Sequence, residues 1–293
     1  MRGLGLLLVL AGCNQLFGLE PSELIDSNVI DPNHPDAFRP VLPPDGSTQC
    51  NGAPAFETWS YGARTIPFSM QVGTFGLYAS SGATHMIVTP VDGSGIWDVD
   101  LAGSATQISN LVPPPAKNIL SVAVSPDGAA IWFKIEQATY VALRATGYER
   151  QLTELGVPNA NEVIPGAPGF YDGTLRMVVR LREGTTNGYV ELSSTDGLTW
   201  TRGDALPFGG AGFYAAAMSA DGCILTYAHQ DSGSSFGLYY AYRSTDGTWG
   251  ASTFKLDAAT TAGGSFPINP ALAPNLASLW FQAAGQGLFE GHL

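Results

Sequence analysis

Charge is scarce in this sequence. Asp, Glu, Lys and Arg make up 13% of its 293 residues, about half the usual share. What charge there is leans one way: 13 basic against 25 acidic side chains, a formal net charge of −12. An acidic surface repels phosphate backbones, so nucleic acid is not an expected partner. Histidine (4) and cysteine (3) are few, and there is no CxxC pair, phosphate-binding glycine loop or G-x-S-x-G elbow. Neither a metal site nor a cofactor is therefore expected. Also missing is any apolar run of the roughly 18–20 residues that span a bilayer. No long segment rich in Ala, Glu, Lys and Leu follows a helical period.

Glycine (36) and proline (20) are abundant, and 45% of the residues are hydrophobic. Many turns, with β-branched and aromatic residues between them, predict an all-β chain with a sizeable core.

The chain opens "MRGLGLLLVLAGCNQLFGLEP". One positive residue, Arg2, precedes a short apolar run ending in small residues, the pattern of an export signal. Leu10-Ala11-Gly12-Cys13 resembles the lipobox of bacterial lipoproteins. That resemblance implies cleavage before Cys13, lipid on its thiol and an acylated new amino terminus, and several acyl chains give stable anchoring. In that family Asp after the cysteine commonly retains the protein at the inner membrane. Asn14 stands here, which implies an exported protein lipid-anchored in the cell envelope, at the outer membrane. The alternative is an ordinary secretory signal with an incidental cysteine. With Cys13 lipidated, Cys50 and Cys223 remain, either as a disulfide in an oxidising compartment or as two separate thiols.

Between Asn14 and Thr48 the composition shifts to six prolines and six acids against the single Arg39. Such a stretch buries too little apolar surface to offset its ordering entropy. It reads as an extended, disordered tether. The expected organisation is a signal peptide over 1–12, lipidated cysteine and tether over 13–48, and one folded domain over 49–293.

Within that domain, tight turns recur at Ser81-Gly82, Asp127-Gly128, Asp172-Gly173, Asp221-Gly222 and Pro274-Asn275, at intervals of 46, 45, 49 and 53 residues. Each is followed by a strand-like run such as "AAIWFKI" or "CILTYAH". A second turn series is explicit at Asp196-Gly197 and Asp246-Gly247. A repeat of this length with two turns is the size of one four-stranded antiparallel propeller blade. Five repeats predict a five-bladed β-propeller. The fifth runs out after three strands, and "PAFETWSYGA" (54–63) is expected to supply its outer strand and close the ring.

"VAVSPDGAAIWF" resembles the S-P-D-G signature of TolB-like, WD40-like propeller repeats, and "MSADGCILTY" does so in part. "STDGLTW" and "STDGTW" resemble, in shortened form, the Asp-box of sialidase-type propellers. These likenesses imply the propeller fold; one fold hosts many activities. They also imply that both turn series lie opposite the usual ligand face. Asp127, Asp172, Asp196, Asp221 and Asp246, with Gly128, Gly173, Gly197, Gly222 and Gly247, are therefore read as structural turns. An aspartate there accepts a local backbone hydrogen bond and glycine takes positive φ. A catalytic acid would be needed once, not once per blade.

Glu162 is the one charged residue in the inner strands as read here ("FGLYASS", "LSVAVSP", "EVIPGAP", "FYAAAMS", "INPALAP"). A glycosidase needs two carboxylates and a sialidase-like site an arginine cluster. Neither is visible. Arg176, Arg180 and Arg182 alternate along one strand and read as a solvated face, as do the paired acids Asp98 and Asp100. The expected ligand face consists of inter-blade connections and middle hairpin loops, carrying Phe208, Phe213, Phe236 and Phe266 with His229, Asp231 and Glu162. Its aromatics suit a sugar or a protein partner, or else close the core beneath. The expectation is a monomeric, non-catalytic binding or scaffolding module for a glycan or an envelope protein. The alternative is a glycan-active hydrolase of sialidase- or arabinanase-like type.

Overall fold

A computed structural model describes residue 50 and residues 56–80, 82–114, 117–152, 162–183, 186–208, 213–232, 235–250, 254–256, 267–283 and 287–292. The signal, Cys13 and the tether lie outside the described residues.

Five antiparallel sheets follow one another along the chain. The first strand, β1 (Ser60–Arg64), is taken up below. Blade 1 is β2–β5 (Val72–Ser80, Ala83–Pro90, Trp97–Asp100, Ala105–Gln107) and blade 2 is β6–β9 (Ile119–Val124, Ala130–Ile135, Ala138–Leu143, Glu149–Leu152). Blade 3 is β10–β14 (Glu162–Pro165, Gly169–Tyr171, Thr174–Glu183, Thr186–Ser194, Thr201–Ala205). Blade 4 is β15–β18 (Phe213–Met218, Ile224–Ser232, Ser235–Tyr242, Phe254–Leu256) and blade 5 is β19–β21 (Pro267–Leu272, Leu279–Ala283, Gly287–His292) with β1 as its fourth strand. The first strand of each blade contacts the first strands of its neighbours. The chain is a five-bladed β-propeller.

The ring closes where β1 pairs with β21, from Ser60↔His292 to Arg64↔Leu288. The closing strand is shorter and later than 54–63, because Phe56–Thr58 forms a single 3₁₀ turn instead. That turn sets Phe56 and Trp59 on one side, in a T-shaped contact at 5.0 Å, and both are buried between blades 4 and 5. Cys50 lies beside this plug and is joined to Cys223. The segment 229–237, expected as a loop, is largely strand: β16 and β17 continue to Ser232↔Ser235.

Small residues and alternating apolar side chains let the blades pack face to face. Trp132 of blade 2, fully buried, meets Trp200 of blade 3 edge-on at 5.8 Å, and both indole N–H groups donate to the Gly197 carbonyl. Burying rings of this size contributes on the order of 2–3 kcal/mol each. Gly128 sits at φ 71° under the Tyr78 ring, where an added Cβ would lie 2.3 Å from a ring carbon. Hydrogen bonds between blades complete the seams, such as Ala79 N–H to the Pro126 carbonyl and Phe170 N–H to that of Ala220.

The turns at one end of the ring repeat a single design. In Ser125-Pro-Asp-Gly the Ser125 hydroxyl donates to Asp127 Oδ1 (2.7 Å), which also accepts Ala129 N–H (3.0 Å). Ser219 and Asp221 do the same with Cys223 N–H, Ser194 and Asp196 with Leu198 N–H, and Ser244 and Asp246 with Thr248 N–H. The glycine after each aspartate has positive φ. Asp172-Gly173 departs from the design. It is a two-residue hairpin between Tyr171 and Thr174 in which Asp172 itself has φ 47°.

Candidate functional site

At the opposite end, regularity breaks down in every blade. Each inner strand carries one residue more than the strand it pairs with. Gly73 is extra between Val72↔Pro90 and Thr74↔Thr89, and Leu120 between Ile119↔Ile135 and Ser121↔Lys134. In blade 3 the inner strand divides into β10 and β11, with four steps from Pro165 to Gly169 against three from Val179 to Arg176. Blades 4 and 5 shift between Phe213 and Ala216 and between Ile268 and Ala271. Such bulges bend a strand and re-aim its side chains. Here they occur where five strands converge on the axis. In blade 5 the bulge holds Asn269 at φ 49°, a conformation favoured by few non-glycine residues. Its amide donates to the Gly73 carbonyl (3.1 Å) and to Gln282 Oε1 (3.2 Å), while Gln282 donates to the Val72 carbonyl (2.7 Å). In blade 3 Ala167 turns aside to exchange backbone hydrogen bonds with Ala216 and Met218 of blade 4.

The bulged ends surround a depression of about 390 Å³. Its polar lining includes Thr74, Thr89, Ser121, Asn118, Asn269 and Gln282; its apolar lining includes Val91, Ile119, Leu120, Ile164 and Ile268; Arg180 is the one charged residue among them. Ser121 is 3% exposed, and among the described residues its hydroxyl has no hydrogen-bond partner. Lys134, also buried, is its cross-strand neighbour. Among the described residues, the large hydrophobic side chains left exposed are Val91 (59%), Leu120 (54%) and Val112 (43%), and all three stand at this end of the ring. Val91 follows β3, Leu120 is the bulged residue of β6, and Val112 lies in the connection between blades 1 and 2.

Of the residues expected on the ligand face, Phe208 and His229 have described side chains. Phe208 is half-buried and stacks on Tyr227 at 4.9 Å, so it closes the core beneath the loop. His229 is half-buried with its ring edge toward Tyr239 at 5.7 Å. Neither lines the depression. Glu162 opens β10 opposite Arg182, Asp231 ends in β16 and Phe236 pairs with Gln230 in β17. The side chains of Glu162, Phe213, Asp231 and Phe236, and all of Phe266, lie outside the described residues.

The alternating arginines are not one solvated face. Arg182 is exposed, Arg180 lines the depression, and Arg176 reaches Glu191 Oε1 at 3.2 Å in a groove between blades 3 and 4. The sequence reading missed Glu191 and its partner Arg243. Arg243 donates to Glu191 (2.9 Å) and to the Gly222 and Gly247 carbonyls, and its guanidinium lies 4.3 Å from the Tyr171 and Trp249 rings. A charged Glu191 in the otherwise alternating "YVELSS" was the available signal. Arg176, Glu191 and Arg243 are consumed by each other and by turn carbonyls, which makes this part of the groove a seam. Asp98 and Asp100 likewise serve local bonds. Asp98 accepts the Tyr78 hydroxyl (2.7 Å) beside His85 and Arg144, and Asp100 accepts Ala102 N–H. Burial, then the bond to Asp98, pushes the Tyr78 hydroxyl well above the ordinary phenol range.

No family model matches the sequence, and no curated protein does. Among solved structures, a protein assigned as TolB from Agrobacterium tumefaciens is similar at 16% identity, over 72% of this chain and 69% of that one, with a TM-score of 0.48. TolB from Acinetobacter baumannii is similar at 15% identity and a TM-score of 0.47, over 75% of this chain. This chain spans about half (54%) of that protein's length. An oligogalacturonate lyase in complex with manganese is similar at 13% identity, over 77% and 78% of the two chains, with a TM-score of 0.38. The five-bladed ring itself rests on the strand pairing above.

Proposed function

We propose that this chain is an exported lipoprotein, held in the cell envelope through Cys13, whose propeller is a non-catalytic module that docks a protein partner at its axial end. The observation that carries this reading is the grouping of Val91, Val112 and Leu120 at the bulged end. Val91 and Leu120 line the depression, and exposed apolar residues grouped at a depression mark interaction sites far better than scattered ones. The described lining contains no aromatic ring and no carboxylate. That favours a protein partner over a stacked sugar, and binding over glycoside hydrolysis. The chain's entry point also supports it. β1 runs from the turn end toward the axial end, and Cys50 is fixed to Cys223 directly after the Asp221-Gly222 turn. The described chain therefore enters the ring at the end opposite the depression.

The test is photo-crosslinking of the full chain in its native cells, with the crosslinker at Leu120 or, as a control, at Thr245 on the turn end. A protein adduct specific to Leu120 is expected, and the purified adduct partner should lose binding to Leu120→Asp. Adducts identical at both positions, or none at Leu120, would overturn the docking site. Specific capture of glycan in place of protein would replace the partner class. Cys13→Ser should move the protein from membrane to soluble fractions; retention in the membrane would remove the anchor.

A further inference from the structure

We infer that the Cys50–Cys223 disulfide is a strain relief: it passes pull on the N-terminal segment into blade 4 and keeps that pull off the strand that closes the ring. The inference rests on the reading above, in which the chain is held at Cys13 and bound at its axial end. Load then arrives from the N-terminal side, and its path through the fold decides what gives way. The closing strand is a poor place to receive it. β1 is the edge of its sheet and pairs with β21 over five residues, and four of those five are exposed. Its Arg64 pairs with Glu290 while 53% exposed, and such surface pairs add little. Edge elements with few buried contacts open locally before the fold does. Peeling β1 away would strip blade 5 of its fourth strand and bare the edge of β21.

Cys223 is a far better one. It is 4% exposed and stands directly before β16, which lies between β15 and β17 in blade 4. Its N–H donates to Asp221 Oδ1 (3.0 Å), and its carbonyl accepts the Arg243 N–H (2.8 Å). The Arg243 guanidinium in turn donates to Glu191 of blade 3 (2.9 Å) and to the Gly222 and Gly247 carbonyls. Pull that arrives at Cys223 is therefore shared between two blades. The position of Cys50 completes the device. It precedes both the Phe56–Trp59 plug and β1 in the chain. While blade 4 is intact Cys50 cannot leave Cys223, so tension ahead of it cannot stretch the residues from 51 to 64. Without the bond the same tension runs first to the plug and then to the Ser60 end of β1. A cysteine within or after β1 would staple the ring equally well but would leave the closing strand in the path of the load.

The experiment is magnetic-tweezers stretching of the full chain between two clickable residues, one at Thr48 and one at Gln137, an exposed position of the β7–β8 hairpin at the axial end. The oxidised protein should show no extension step before the propeller itself unfolds. After dithiothreitol, an early step at lower force should appear, up to about 50 Å long for the fifteen residues from 50 to 64. A second handle tests the path without reduction. Gly62 lies in β1 with nothing within 4 Å of an added Cβ, so a clickable residue fits there. Pulling the oxidised protein from position 62, beyond the link, should peel β1 at a force well below the first rupture from position 48. Equal first ruptures from the two handles, or an early step in oxidised protein pulled from position 48, would overturn the inference. Free Cys50 and Cys223 thiols in protein taken from the cell envelope would overturn it as well. A soluble Cys13→Ser protein whose first rupture ignores the handle position would sink this inference and leave the anchor intact. A membrane-retained Cys13→Ser protein would sink the anchor and, with it, the load assigned to the link.

Discussion

The two ends of the propeller are built by opposite rules. At the turn end, four Ser–Asp pairs repeat the same hydrogen bonds, each Asp Oδ1 taking a hydroxyl and a backbone N–H two residues on. Each of the four serine hydroxyls there has a defined acceptor. At the axial end each blade solves the crowding of the inner strands by a bulge, and the bulges of blades 1, 2, 3 and 5 hold different residues: Gly73, Leu120, the Gly166-Ala167 step and Asn269. Repetition marks what every blade needs for folding. Divergence at equivalent positions marks where a blade serves something other than the ring. The serines differ in the same way: the four turn serines are bonded, and among the described residues the Ser121 hydroxyl at the axial end has no hydrogen-bond partner.

That contrast can be broken most severely at the turn end. Glu191→Ala strands Arg243, 5% exposed, without its carboxylate. Removing one member of a buried pair typically costs about 3–5 kcal/mol, so a large fall in the urea midpoint is expected. A shift within error would mean that the guanidinium is fully served by the glycine carbonyls. Replacing Cys50 and Cys223 together by Ser releases a link across 173 residues. Such links are worth roughly 2–4 kcal/mol, and chemical denaturation of oxidised and reduced protein reads the difference. Gly128→Ala puts a Cβ at positive φ against Tyr78; a loss of about 1–3 kcal/mol is expected.

Leu120→Asp should change stability by no more than about 0.5 kcal/mol, because the residue is exposed. A large destabilisation there would erase the distinction between the two ends. The smallest effect is one of acidity. Bonds from the Ser244 and Thr248 hydroxyls and the Thr248 N–H lower Asp246 from 3.8 to about 2. A depressed carboxyl stabilises the fold above its unfolded value and loses that contribution as pH falls through its folded one. The turn is therefore intact above roughly pH 4 and released toward pH 2. Carbon-detected NMR of the Asp246 carboxyl should show the titration near 2, and an ordinary midpoint would mean that the serine does not donate to it.

Much of this architecture could be read in advance because it rests on local chemistry. Asp127-Gly128 and Asp221-Gly222 announce their turns through residue type, and the 45–53-residue interval between turns announces the blades. The short fifth repeat pointed to an N-terminal closing strand, although Phe56 and Trp59 claimed the first part of that segment for the core. Apolar alternation also hid as much as it showed. Phe208 looked like a ligand-facing aromatic, but a stacking partner 19 residues away, Tyr227, draws it inward.

The sequence by itself determined an all-β, turn-punctuated chain of five repeats, because hydrogen bonding within a turn and alternation along a strand involve neighbours only. Which end of the ring is closed and which is open was decided by tertiary structure. One extra residue in a strand is invisible until its partner's register is known, and that residue turns Leu120 outward and leaves Ser121 beside Lys134. Arg180, one of three alternating arginines along its strand, gains its place at the axis only because five blades converge there.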